Sequence, residues 1–253
     1  MPRKLNCTLK ICIMGNALLN YLNKRLEESN SFHKVAKGPA GPVITISREV
    51  GCNGLPLARE LAARLNQQRM LAEWKVLSKE VFYKSAQELN LEPEKVQRMF
   101  KKADTYTFEQ ILTAFGEKRY KSEAKISKTV RDVIHSLAVD GFNIIVGRAS
   151  HIIAHDIKNA FHLRLNAPLD YRIANIMENN KLSRKDAINF IERVEKERDT
   201  FRKAINAGDV HEDNFDMTIN RATFTTAQCV EIILTAIEKK SILTDYKQKV
   251  EFF

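Results

Sequence analysis

One stretch constrains this chain more than any other. Val43-Ile44-Thr45-Ile46 is a β-branched run, and apolar residues recur at helical spacing after it, at Leu57, Ala58, Leu61, Ala62 and Leu65. Between them lies a loop, Ser47 to Gly54, that carries two glycines. A short apolar run without polar alternation reads as a strand covered on both faces. Pro56 is tolerated in the first turn of the helix that follows. The alternation then repeats. Phe142–Val146, Ala160–Leu165 and Phe215–Ile219 read as further strands. Helices are expected over 78–139 with Ser78 as a start, over 169–179, from Ser183 to about Ile205, and from Thr226 to Lys239. Ser183 and Asp186 have the spacing of a capping box. Strands alternating with helices predict an α/β fold with a mostly parallel sheet flanked by helices. Nine glycines and six prolines in 253 residues are too few for a turn-rich all-β fold.

Three parts are expected. Residues 1–42 form an N-terminal extension, with an amphipathic helix over 16–28 (Leu18, Leu19, Leu22, Leu26) and a linker broken by Gly38, Pro39, Gly41 and Pro42. That helix is a candidate for packing on the main domain or for self-association into a homo-oligomer. Residues 43–240 form the main domain, and 241–253 a tail expected to fray. Met14 is a second candidate start. The basic opening and the short apolar patch after it are broken by Gly15 and Asn16, unlike a secretory leader. No apolar stretch reaches the roughly 18 residues needed to span a bilayer. Cys7, Cys12, Cys52 and Cys229 form no CxxC pair and no disulfide framework, so a reducing cytoplasm is expected and structural zinc is not. The net charge of +10 fits an anionic partner, nucleotide or nucleic acid. No lysine cluster with interleaved aromatics marks a nucleic-acid face, so nucleotides are the expected partners.

The residues that could carry chemistry follow from the strand ends. A glycine-bearing turn between a buried strand and a helix presents backbone N–H groups at the positive helix end, which suits phosphate. Ser47, Gly51, Cys52, Asn53 and Gly54 form that turn, and Gly51 and Gly54 can take positive φ. The spacing departs from G-x-x-x-x-G-K-[ST], and no Lys-Thr follows. Arg148 stands at the carboxyl end of a predicted strand, where open α/β sheets bind ligands and a guanidinium can grip phosphate. Asp199 and Arg202 sit three apart and share a helix face, which by itself makes a surface ion pair. His151 and His155 are four apart, but Asp156 would point away from both, so no metal site is expected.

These segments resemble the cytidylate kinase-like family. VITISREVGCNGLPLARELAARL is similar to its opening, ITISREYGSGGREIAKKLA. IIVGRAS (144–150) resembles its IIVGRGS. HLRLNAPLDYRI (162–173) resembles its strand and AP-x-x-x-R-I helix, ERDTFR (197–202) its D-x-x-R stretch, and FDMTIN (215–220) its YDLxIN. The likeness runs from Val43 to Lys239. It implies a three-layer P-loop NTPase-like fold with a helical lid, and transfer of the ATP γ-phosphate to a CMP-like nucleoside monophosphate. Mg²⁺ is expected with the nucleotide, with no dedicated protein ligand. The resemblance gives Arg148, Asp199 and Arg202 to the acceptor nucleotide. Arg172, Arg184 and Arg193 fall on lid helices, and Arg172, in the AP-x-x-x-R match, is the one expected to serve catalysis. Trp74 and Lys79 precede the helix of the acceptor pocket, and Ser78 stands where the family often has aspartate, two residues before Glu80. In the P-loop superposition Gly54 takes the place of the lysine, Pro56 that of the magnesium-binding hydroxyl, and Arg48 that of a glycine. Two expectations follow. Arg48 supplies the missing cation as a catalytic residue, or the chain binds nucleotide without turning it over, as a sensor or scaffold. A basic nucleic-acid-associated protein, marked by steep salt dependence, is the reading from another class.

Overall fold

The central strand, β1 (Val43–Arg48), has a parallel neighbour on each side: β3 (Asn143–Val146) and β4 (Ala160–Asn166). β2 (Lys75–Leu77) pairs with the outer edge of β3, and β5 (Met217–Asn220) with that of β4. The five strands are all parallel in the order β2-β3-β1-β4-β5. This is a computed structural model describing residues 40–68, 70–78, 123–206, 211 and 213–247. The expected helix over 16–28, most of the helical stretch over 78–139, Lys79 and Glu80 lie outside those residues.

Strand alternation explains why helices cover both faces. Val43 and Ile145 join one core with Val130, Ile134 and Ala138 of α2 (Glu123–Asp140), with Ile152 and Ile153 of α3 (Ser150–Ile153), and with Phe201 and Ile205. Ile44, Ile46, Ile144 and Val146 point the other way. There they meet Leu57, Leu61 and Leu65 of α1 (Gly54–Asn66) and Val230, Ile233 and Ile237 of α6 (Thr226–Lys239). Val43, Ile44 and Ile46 are fully buried, and each stabilises the fold by about 2 kcal/mol through removal from water. The expected three-layer class is therefore present. A third, smaller core joins Val50 to α4 (Leu169–Asn180) and α5 (Arg184–Ile205) through Ile173, Ile176, Ala187, Ile191 and Val194. It places these two helices over the loop after β1.

Helix ends follow local chemistry. Ser183 caps α5, its Oγ accepting the Asp186 N–H at 3.2 Å. Thr225 and Gln228 form a reciprocal capping box at α6. The segment from Ser241, expected to fray, instead folds back as far as Lys247. Ile242 and Leu243 are buried, a 3-10 turn spans Thr244–Tyr246, and the Tyr246 hydroxyl donates to the Ala40 carbonyl at 3.0 Å. Two apolar side chains in succession supply the burial that a polar tail lacks. Phe215, expected in the last strand, precedes β5, which starts at Met217.

Candidate active site

β1 lies at the centre of the sheet, so the chain leaving its carboxyl end emerges between the ends of β3 and β4. Open parallel sheets bind ligands at such ends. Ser47 and Arg48, expected in the loop, extend β1 instead, in register with Arg164 and Leu165. The connecting loop is Glu49–Asn53. Gly51 has φ +92°, and an added Cβ would come within 2.6 Å of the Arg172 carbonyl, so only glycine fits against α4 here. The second left-handed position belongs to Asn53 (φ 49°). Gly54, expected to share that freedom, is instead the first helical residue, and its lack of a side chain makes room for the Arg48 stem, whose Cγ lies 3.2 Å from the position of a Cβ. No side chain caps α1, leaving its first amides for another acceptor.

Lid and loop are stitched together around Glu49 and Glu195. The Val50 N–H donates to Glu195 Oε1 at 2.6 Å, a short, charge-assisted bond. Arg172 reaches the same oxygen through Nη1 at 3.4 Å and Glu49 Oε2 through Nε at 3.5 Å. Glu49 Oε2 also accepts the Ala167 N–H at 3.1 Å. Asn175 Nδ2 donates to the Gly51 carbonyl at 2.8 Å, and Asn179 Nδ2 to Asn53 Oδ1 at 3.2 Å.

Arg48 occupies the middle of this arrangement. A Cβ on Gly147, at the end of β3, would overlap its guanidinium. Arg198 of α5 donates from Nη1 to the Arg48 carbonyl at 2.9 Å. Burial holds the Arg48 pKa well below its ordinary value, and the neighbouring charges of Arg198 and Arg148 push the same way, against Glu195. Burial also lowers Arg198, with Glu195 as its main compensating charge. The arginines hold their protons regardless. Burial, more than the neighbouring charges, is the cause of both shifts. Burial and Glu49 push the Cys52 thiol up to about 11, so it is a neutral group rather than a nucleophile. After β3, Gly147, Arg148 and Ala149 all have positive φ (78°, 62° and 53°). Left-handed backbone at two non-glycine residues in succession is strain of a kind that clusters at functional sites.

The structure thus brings Arg48, Arg148, Arg172, the loop 49–53 and the start of α1 at Gly54 to one end of the sheet. Asp199 and Arg202 are paired on α5 at 3.2 Å, and Asp199 also holds Lys203 at 2.8 Å. Those bonds, with the two cations beside it, lower the Asp199 pKa despite some desolvation. Arg202 reaches the cluster through its charge on Arg198. Arg184 pairs with Asp170 at 2.5 Å in solvent, and Arg193 lies over the Phe190 ring. Trp74 is buried edge-on against Phe142. His151 stacks on Phe215, while His155 Nδ1 is 2.8 Å from the Ile152 carbonyl oxygen. No group of three or more metal-ligating side chains occurs among the described residues. Sequence reasoning missed Glu49, Glu195 and Arg198. Glu195, Arg198 and Arg202 share the helical stripe of Ile191, Val194 and Phe201, so charges at core spacing were the available signal.

The family profile described as "Cytidylate kinase-like family" matches residues 43–223. An uncharacterized protein from Eubacterium ventriosum has a similar solved structure, with TM-score 0.53 at 20% identity over 78% of this chain and 98% of that one. A Thermus thermophilus protein follows at TM-score 0.44 and 16% identity, over 79% and 98%. Shikimate kinase from Aquifex aeolicus stands at 0.43 and 14%, over 79% and 98%. At such identities a likeness speaks for the fold alone, and the latter two are loose even for that. No curated protein matches the sequence.

Proposed function

The chain belongs to the cytidylate kinase-like family, and from that premise we propose that it is a phosphotransferase that moves the γ-phosphate of ATP to a nucleoside monophosphate of the CMP kind. The observation that supports this most is the place of Arg48, wedged between the start of α1 and Gly147, with the charges of Arg148 and Arg198 close enough to act on it. Phosphoryl transfer asks little covalent chemistry of a protein; it needs positioning and cations around the moving group. The ATP phosphates sit on the backbone amides of the loop and the uncapped start of α1. Arg48 serves in place of the lysine that Gly54 cannot supply. Arg148 holds the acceptor phosphate, and Asp199 with Arg202 takes the rest of the acceptor nucleotide. Arg172 comes from the lid, and the closed lid excludes water. Pro56 offers no hydroxyl to a magnesium ion, and Glu49 and Glu195 are already bonded. Mg²⁺ would therefore arrive with the nucleotide rather than on a protein ligand.

We place this chemistry in the cytoplasm. The described cysteines, Cys52 and Cys229, are free thiols, and no helix among the described residues is long and apolar enough to cross a membrane. One observation favours a second reading, a nucleotide binder that transfers nothing. Arg172 is only 15% exposed and is held by two carboxylates, Glu49 and Glu195. An assay of ADP formation from ATP and CMP separates the two. Under the phosphotransferase reading, Arg48→Ala slows turnover on the order of 10²-fold, as loss of a preorganised cation does. Arg48→Lys recovers part of it, because a point charge lacks the bidentate grip. Equal rates for parent and Arg48→Ala would remove Arg48 from the mechanism. Tight ATP binding with no ADP formed by the parent would favour the binder.

A further inference from the structure

The phosphate loop already holds an anion of its own. A carboxylate oxygen, Glu195 Oε1, accepts the Val50 N–H at 2.6 Å and lies 3.4 Å from Arg172 Nη1. Glu195 reaches the loop from α5, 145 residues further along the chain. Its charge is also the one that most offsets the crowding of cations at Arg198, and it works in the same sense at Arg48. A loop amide and one guanidinium on the same oxygen, with two further arginines that feel its charge, are the kind of donor set that a phosphate oxygen would need. Like-charged guanidiniums repel when brought together, so an empty site requires some negative charge among them. Glu195 is two-thirds buried and supplies it.

Resting on the phosphate-binding reading above, we infer that Glu195 is an internal stand-in for phosphate: it latches α5 onto the loop in the empty protein, and an incoming polyphosphate displaces it. Displacement frees the Val50 N–H for a phosphate oxygen. It also leaves Arg172 with Glu49 alone, so that its outer nitrogens can turn to the ligand. The latch restricts the site to ligands that carry more negative charge than one carboxylate. A single weakly charged anion does not open it, while a di- or triphosphate does.

The test is calorimetric binding of inorganic tripolyphosphate, which has no base or sugar, and of ATP. Each is titrated into the full chain and into Glu195→Gln. Glutamine keeps an oxygen for the Val50 N–H but withdraws the competing charge. It is expected to bind tripolyphosphate about tenfold more tightly, ~1.4 kcal/mol, and to melt at a lower temperature when empty. Glu195→Asp keeps the charge but is one methylene short of Val50. It should bind with intermediate affinity, and it carries the comparison if the glutamine variant does not fold. Tripolyphosphate binding equal to or weaker than the parent's in the variants would overturn the latch, making Glu195 a group that merely orients the loop. If the parent and both variants bind neither ligand, the phosphate-binding reading itself fails and the latch falls with it. Binding by the glutamine variant alone would show the latch at its strongest.

Discussion

At Arg48 the competition is between burying a guanidinium beside other guanidiniums and the anion that would offset this arrangement. Arg198 and Arg148 push the charge of Arg48 in one direction and Glu195 in the other, and burial outweighs each of them. Gly147 and Gly54 provide the space the side chain needs. Gly147→Ala would force the guanidinium out of that space and add a Cβ at φ +78°. It is expected to destabilise the fold by roughly 1–3 kcal/mol, read by urea unfolding, and to weaken ATP binding. Unchanged ATP affinity would mean that Arg48 does not work from this position. Arg148→Ala is a cleaner substitution, since both residues carry a Cβ at φ 62° and the backbone strain is unaltered. Nucleoside monophosphate affinity should fall while stability stays within about 1 kcal/mol; unchanged affinity in calorimetry would make Arg148 structural. Arg48 and Arg148 were legible in the sequence because each stands one residue beyond a β-branched run, after Ser47 and Gly147. Glu195 and Arg198 were not, because their partners, Val50 and Arg48, lie 145 and 150 residues away. Contacts of that separation are set by how helices pack over a sheet, which local patterns do not reveal.

Among the elements, α5 matters most to the site, since Glu195, Arg198, Asp199 and Arg202 all project from it. Its start depends on Ser183 Oγ accepting the Asp186 N–H. Ser183→Ala should cost about 1 kcal/mol of stability in denaturant titration, as loss of an N-cap does. A change below a few tenths would show that the third core alone holds this helix end. The long strands and helices could be read because apolar periodicity marks them over many residues. β2 could not: Lys75–Leu77 is three half-buried residues at the sheet edge, too short for alternation to register. α3, at Ser150–Ile153, is a single turn hidden behind the Gly147–Ala149 bend. The loop boundary was misplaced by two residues because Ser47 and Arg48 are polar yet still pair as strand with β4.

For the molecule as a whole, stability depends on a histidine between strands. His162 Nδ1 lies 2.8 Å from Thr45 Oγ1, and the neutral ring is buried in the sheet. Burial lowers its pKa from 6.5 to about 4, with Asp216 opposing. The unfolded chain therefore binds this proton at higher pH than the native one does. The contribution of the neutral ring is complete above about pH 6.5 and is lost as pH falls towards 4. Between pH 7 and 4.5 the parent should lose roughly 2 kcal/mol more unfolding free energy than His162→Gln. An equal loss in both would show that other groups set the acid limit. The central claim, that this sheet end is a nucleotide phosphate site, concerns the intact chain and is tested most directly on it. Thermal unfolding is followed against a panel of nucleoside mono- and triphosphates, each with and without Mg²⁺. A ligand at 100 times its Kd adds ~2.7 kcal/mol to the native state. The account predicts a clear rise in Tm with ATP, a further rise with ATP and CMP together, and loss of the ATP response in Arg48→Ala. A panel in which no nucleotide moves the Tm of the parent, or in which Arg48→Ala responds as the parent does, would contradict it.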